Sequence, residues 1–553
     1  MPLDLLTGSW IPFRRRSGEV VWGSPSLLTD GIRDDPVISI AAPRPDFTGA
    51  VQEFLIGLLS ASFEVKDETA WRLLWITPPS SATLEERFAT LPPAFNLDCD
   101  GPRFMQDITA SDFIDSDPIP IEQILIEAPG EQTAKLNKDL FIKRNRVERL
   151  SRPAAAMALI TLQAYAPAGG QGHRTSIRGG GPLTTLVNPL DGRSDGAIEK
   201  PLWYKLWANV STVAEWKSLP GWKHDGPSDK FPWLAPTRVS TKGNGPTTAE
   251  DAHPLQAYFG MPRRIRLEFA GPGRCDLTGL DDEQTVLVYR TRNYGVEYSG
   301  WRHPLSPYYR TKLDQPWLPV HGQPGGPSWR DWISLMFSQP NSLREPATVV
   351  SRFKLDRAAL TGSSAVRLHA FGYDMDNMKA RGWVESQRPL LFAEDTQGNL
   401  LLLDTAKALS DAADLIAREL VSAGKTALFH RSEDARGDLS QYRSEVWDGS
   451  ESAFFDVMHR VASTNPDVDE LNTIRLAFLK HLEVITLGIF DRWCPMAAVS
   501  GENVSRLVRA RFTLVNAFRG RSNAGGKVFE ALRLPVPESV VKRGKKQRLQ
   551  EAS

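Results

Sequence analysis

The chain has 553 residues and carries 66 Lys+Arg against 66 Asp+Glu. That length supports more than one hydrophobic core, and a formal net charge of zero excludes a uniformly basic coat for nucleic acid, so any basic surface must be local. A 41% hydrophobic and 24% charged composition is that of a globular chain and excludes bulk disorder.

Three cysteines, Cys99, Cys275 and Cys494, lie far apart with no CxxC pair. They offer neither a disulfide framework nor a zinc signature, which fits a reducing cytoplasm. The N-terminus MPLDLLTGSWIPF lacks a charged n-region and a long apolar run. No stretch reaches ~18 uninterrupted apolar residues, so the sequence predicts neither a signal peptide nor a membrane span.

In chain order, residues 1–21 read as strand, turn and strand, with Arg14–Arg16 at the tip before Ser17-Gly18. Asp46–Ser62 places Val51, Phe54, Leu55, Leu58 and Leu59 on one helical stripe. Glu85–Thr90 is a further helical piece, ended by Pro92-Pro93. Glu131–Arg152 carries seven Lys/Arg and three Asp/Glu without an apolar period. It reads as a loop that is either simply solvated or ordered by a nucleic-acid partner. Ser151–Tyr165 is a buried helix with Ser151 as N-cap, stopped by Ala166-Pro167.

Gln163–Val187 is the stretch with the most distinctive chemistry. Glycine runs surround His173, Arg174 and Arg178 with no acidic residue among them. Glycine lets backbone N–H groups approach a partner closely, and arginine forks onto phosphates or base edges. The competing reading is two ordinary turns around a short strand.

Further on, Trp203, Trp207, Trp216, Trp222 and Trp233 form a proline-rich aromatic patch. Arg263–Phe269 and Thr285–Tyr294 alternate as strands, with Arg290 and Arg292 on one face. In His369–Trp383, Asp376, Asn377, Met378 and Lys379 follow a Gly-Tyr turn and precede a Gly-Trp stop. Methionine there suits a wedge between base pairs, while a hairpin tip or helix cap is the structural alternative. After Asp404 the pattern becomes helical: Asp404–Ala423, Ser440–Ala462, Val468–Trp493 and Asn503–Phe518. The first has Asp404 or Thr405 as N-cap and Gly424 past its end. Four helices in series predict a bundle, followed by a basic tail.

Catalytic motifs are missing. GK[ST], HExxH, GxSxG and paired His/Cys spacings do not occur, and Asp374 with Asp376 is better explained by a turn than by a metal nuclease. The sequence therefore predicts binding and no enzyme. A nuclease or nucleotide-dependent enzyme in the N-terminal domain, and a scaffold without DNA contact, are the alternatives.

Four stretches, LLTGSWIPFRRRSGEVVWGSPSLL, APAGGQGHRTSIRGGGPLTTLV, HPLSPYY and GYDMDNMKARGW, occur in the same order as in the CasA family, which they resemble along nearly the whole chain. This is the large subunit of the type I-E CRISPR Cascade complex. The resemblance implies an α+β chain: a large mixed α/β N-terminal domain of unusual fold at 1–400, a C-terminal four-helix bundle at 401–535, and a tail at 536–553. It implies recognition of the motif beside the target in double-stranded DNA from the minor groove, duplex opening for crRNA pairing, and help in recruiting a helicase-nuclease. The other partners implied are crRNA and the remaining Cascade subunits, with no membrane.

The resemblance places the glycine loop on Ala168, Gly169, Gly170, Gln171 and Gly172. It places the basic strand residue on Arg292, beside Arg290, and the wedge on Asp376, Asn377 and Met378, with Lys379 adjacent. Arg174 and Arg178 are expected on phosphate. The loop Ala128–Phe141, with Gln132, Lys135, Asn137, Lys138 and Phe141, resembles the one that contacts the crRNA-end region. Some relatives carry a zinc-binding cysteine cluster where this chain has Cys275 alone, so no metal or cofactor is expected, and packing of the Arg274–Asp282 loop stands in for the staple.

Overall fold

The computed structural model describes residues 1–129, 135–136, 145–192, 198–241, 243–338, 341–361, 365–376, 379–393, 395–436, 438–495 and 502–537. The chain divides into two compact units. Met1–Pro327 and Ser334–Leu390 make the first; Ser328–Ile333 and Leu391–Ser553 make the second.

In the first unit, β1 (Ile11–Arg15) pairs antiparallel with β2 (Val20–Gly23) and β3 (Val37–Ile40). The arginines of this hairpin serve the fold: Arg15 pairs with Asp30, and Arg16 donates to the Glu199 carbonyl at 2.9 Å. α1 (Pro45–Phe63) starts on a proline, which needs no N–H partner in the first turn. Its apolar stripe is buried, and so are Ala50, Ile56, Gly57 and Ser60 on other faces. Gly49 lies against Phe371 and Trp383, and Gly57 against Tyr258, at distances no side chain would fit. The helix is therefore central.

α2 (Arg152–Tyr165) is capped as its sequence predicts, Ser151 accepting from the Ala154 N–H. β4 (Thr184–Asp191) follows the glycine stretch. β5 (Arg264–Ala270) pairs antiparallel with β6 (Thr285–Arg292), setting Arg290 opposite Arg266 and Arg292 opposite Arg264. β7 (Ala365–Asp376) lies between β4 and β8 (Lys379–Pro389).

This corrects the reading of His369–Trp383. Gly372-Tyr373 is no turn and Gly382-Trp383 no stop; all four are strand residues, with Tyr373 paired to Trp383. Packing overrides the local turn signal. Tyr373 donates to the Asp46 carboxylate at 2.5 Å, and a Cβ on Gly372 would meet the Pro182 carbonyl at 2.4 Å.

Four of the five tryptophans of the patch are core, and Trp222 is half-buried. Trp203 stacks on Trp207 at 4.8 Å, and Trp216 and Trp233 are buried. Cys275 is buried in a loop closed by pairing of Gly273-Arg274 with Asp281-Asp282, and Asp282 pairs with Arg152 at 2.6 Å.

In the second unit α3 (Thr396–Leu428) packs against α4 (Ser440–Thr464), α5 (Val468–Trp493), α6 (Glu502–Phe518) and a short α7 (Asn523–Ala531). α3 starts earlier than its periodicity predicts, capped by Asp395, and runs past Gly424. Gly424 is not a C-cap. A Cβ there would lie 2.0 Å from the Trp493 ring, so glycine admits a close helix crossing. Trp329 and Trp332 also belong to this unit, Trp329 stacking on Phe454 at 4.2 Å. Among the described residues no helix is long and apolar enough to cross a membrane.

Candidate nucleic-acid interface

α2 ends at Tyr165, and the chain turns through Ala166-Pro167 into the first glycine run. His173 N–H donates to Gly170 O at 3.2 Å, and Gly169 N–H to His173 O at 3.4 Å, closing a tight turn. Gly170 (φ +93°) and Gly172 (φ +76°) occupy the left-handed region that the turn requires. Gly169, Gly170 and Gln171 are exposed, and nothing lies within 4 Å of a Cβ built on Gly170. Among the described residues no acceptor takes the N–H of Gly170, Gln171 or Gly172. N–H groups left without an internal acceptor in an exposed turn suit an anion or an acceptor edge.

The loop is anchored to the end of β6. The Tyr294 N–H donates to Gly172 O at 2.7 Å, and Gln171 Nε2 to the Tyr294 hydroxyl at 3.1 Å. Arg292 stands two residues before Tyr294. The second glycine run packs beside the turn end of the β7–β8 hairpin, where a Cβ on Gly181 would touch Met375, one residue before the end of β7, at 2.6 Å. The fold thus gathers the glycine loop, the end of β6 and the turn end of the β7–β8 hairpin around residues 166–181. Asn377 and Met378 lie outside the described residues. Asp376 and Lys379 flank them and are exposed, and Asp374 is clamped by Arg381 at 2.7 and 3.0 Å.

The arginines separate into two kinds. Arg178 is a correction: it is 2% exposed and ion-paired with Glu53 at 2.6 Å, and it donates to Thr184 at 2.9 Å and Ser306 at 3.1 Å. Burial opposes its charge, but the neighbouring Glu53 carboxylate prevails and raises its pKa. The same cluster pushes the Tyr165 phenol well up, through burial and Glu53. A side chain held this way cannot also reach a phosphate. Arg174 pairs with Glu297 at 2.9 Å and donates to Ser240; Arg290 pairs with Glu268 and donates to the Ser116 carbonyl.

Arg292 is different. It donates through Nε to the Asp112 carbonyl and, among the described residues, has no carboxylate partner. Its terminal nitrogens remain for another acceptor.

Sequence reading missed the cross-strand arginines. Arg264 and Arg266 share the face of Arg290 and Arg292, and Arg264 is held by Asp107 at 2.6 Å and by Asp112. Arg103, Arg266 and Arg290 line an open cleft of about 670 Å³. The RxR repeats on both strands carried that signal, but register is needed to oppose them. Of the expected crRNA-side loop, Lys135 is exposed, whereas Gln132, Asn137, Lys138 and Phe141 lie outside the described residues. Among the described residues no group of three or more His, Cys, Asp or Glu is arranged to hold a metal.

The family model for CRISPR-associated protein Cse1 matches residues 4–489, and the chain belongs to that family, the CasA/Cse1 large subunits of type I-E Cascade. Solved structures share the fold. Thermus thermophilus CasA (Cse1) is 15% identical with a TM-score of 0.65, over 94% of this chain and 99% of that one. Thermobifida fusca Cse1 is 17% identical with a TM-score of 0.69, over 96% and 98%. A chain of a CRISPR RNA-guided surveillance complex is 17% identical with a TM-score of 0.66, over 93% and 99%.

Proposed function

We propose that this chain is the non-catalytic subunit of a cytoplasmic RNA-guided surveillance complex that reads the short motif flanking the target in duplex DNA. The observation that carries the reading is the convergence of the Ala168–Gly172 loop, exposed at Gly169–Gln171, with the end of β6 that carries Arg292 and the turn end of the β7–β8 hairpin. A glycine loop at the minor groove brings no side chain to choose among its degenerate base-edge pattern, so the reader tolerates several motif sequences. Arg292 sets the register on a phosphate, and Asn377 and Met378, which follow β7 in the sequence, part the first base pair. Unstacking costs roughly a few kcal/mol per step, which contacts to the opened DNA and the crRNA seed pairing offset.

The helical unit packs on other subunits of the complex. Its cleft of about 740 Å³, lined by Leu400, Leu401, Val468 and Leu471, supports this, with Leu400 61% and Val468 74% exposed. The first unit helps recruit the helicase-nuclease.

The test is binding of reconstituted complex, with and without this subunit, to duplexes that carry or lack the motif. Motif-dependent binding is expected to vanish without the subunit and to fall with Gly170→Val, whose β-branched side chain cannot adopt φ +93° without strain. Discrimination that survives both changes would make the chain a scaffold.

A further inference from the structure

Six arginines are buried among the described residues: Arg178, Arg263, Arg264, Arg352, Arg357 and Arg475. Five have a carboxylate partner, respectively Glu53, Asp107, Glu215, Glu68 and Asp404 for Arg178, Arg264, Arg352, Arg357 and Arg475. Among the described residues Arg263 has none. It is 8% exposed, its Nε is buried without a hydrogen-bond partner, and its side-chain bond runs from Nη2 to the Pro167 carbonyl.

A buried guanidinium without a counter-charge is costly. Burial pushes the Arg263 pKa down to about 10, so it remains charged at neutral pH. Its surroundings add no anion: the neighbouring His173 is itself held below its ordinary pKa, by burial and by the Arg263 charge.

The position of this charge is specific. A Cβ on Gly169 would lie 2.8 Å from Arg263 Nη1 and 3.1 Å from Nη2. The guanidinium therefore packs directly against Gly169, the first glycine of the loop whose N–H groups at Gly170, Gln171 and Gly172 have no acceptor among the described residues. Gln163 of α2 fixes the residue from behind, accepting from its backbone N–H and donating to its carbonyl, both at 3.0 Å.

We infer that Arg263 is a cationic floor that turns the glycine loop into a phosphate seat: a phosphodiester of the bound DNA backbone sits over Gly169–Gly172, held by loop N–H groups above and the buried charge below. Arg263 is a positioning residue, acting on the DNA through the loop. The inference rests on the reading that the loop meets the duplex.

The test uses reconstituted complex with full-length subunit, titrated with motif-bearing duplex over a salt series, with Arg263→Gln, Arg263→Lys and Gly170→Val compared to the unaltered chain. Glutamine keeps a donor for the Pro167 carbonyl but removes the charge; lysine keeps the charge. Arg263→Gln is expected to weaken binding roughly tenfold at low salt and to lower the salt slope by about one unit, with Arg263→Lys near the unaltered value. Equal losses in both variants, or a Gln loss unchanged by salt, would mean a structural role and overturn the inference.

If Arg263→Gln fails to fold, neutral methylphosphonate linkages walked along the duplex test the unaltered complex. One position beside the motif should cost affinity, and the absence of any such position overturns the seat. If Gly170→Val also leaves binding unchanged, the loop does not meet DNA and the underlying reading fails. If Gly170→Val weakens binding and Arg263→Gln does not, only the cationic floor fails.

Discussion

Arg178 and Arg292 read alike in the sequence, each a basic residue near glycine or a turn, yet their environments assign them opposite work. Arg178 is enclosed with Glu53, so replacing it with alanine strands a buried carboxylate. Breaking such a pair costs about 3–5 kcal/mol, and Arg178→Ala is expected to lower the urea midpoint strongly. Arg292 is bound only through Nε, so Arg292→Ala should leave the midpoint nearly unchanged while lowering the salt slope of DNA binding by about one unit.

Histidine gives the other residue-scale prediction. His253-Pro254-Leu255 and His303-Pro304-Leu305 fold alike, each Nδ1 accepting the N–H two residues on at 3.1 Å. Burial, aided by the charge of Lys230, pushes His253 down to about 4. The folded pKa of this base is depressed, so the unfolded chain binds the proton first as pH falls. Stability present above the ordinary value of 6.5 is lost between about pH 6.5 and 4, amounting to about 3 kcal/mol when titration is complete. Urea unfolding at pH 7 and pH 4.5 should show a smaller drop for His253→Gln than for the unaltered chain.

At the scale of elements, glycine marks close approach as often as it marks an end. Gly424 reads as a terminator and is instead the point where α3 meets Trp493. Alanine there gains about 1 kcal/mol of helix propensity but drives a methyl into the ring, and overpacking costs about 1–3 kcal/mol. Gly424→Ala is expected to destabilise the helical unit, and to stabilise it once Trp493 is also replaced by alanine. Thermal unfolding of the two single variants and the double variant measures this coupling.

The α3 start shows the same limit. Asp404 and Thr405 are good caps by type, but Leu402 before them and Ala406 after them are both buried in one helix that Asp395 caps. For β7–β8, the turn-like Gly-Tyr and Gly-Trp pairs became strand because pairing to β4 and packing on α1 outweigh a local propensity. The strands β5 and β6 and the helices α2 and α5 were legible because their periodicity and caps agree with their packing.

At the scale of the whole molecule, the balanced charge has a direct consequence. With a sequence pI of about 7.1, the isolated subunit is expected to be least soluble near pH 7 at low salt and more soluble at pH 6 or 8.5, measured by precipitant titration. The domain organisation is not a simple cut of the chain. Ser328–Ile333 joins the helical unit ahead of its first long helix, and Trp329 donates to the Trp447 carbonyl at 2.7 Å. Trp329→Ala removes a fully buried ring, worth about 3–5 kcal/mol, and should lower the unfolding midpoint of that unit.

The sequence by itself determined the family, the mixed first part, the helical second part and the glycine loop that follows α2, because ordered motifs, caps and periodicity are local properties. Only the tertiary structure decided which arginines are available. Arg178 stands between the two glycine runs in the chain, Arg263 packs against Gly169 of the first run, and both are buried. Glu53 neutralises the first, and among the described residues no carboxylate meets the second. Charge pairing across distant segments is set by how α1, α2 and β5 pack, and no spacing along the chain encodes it.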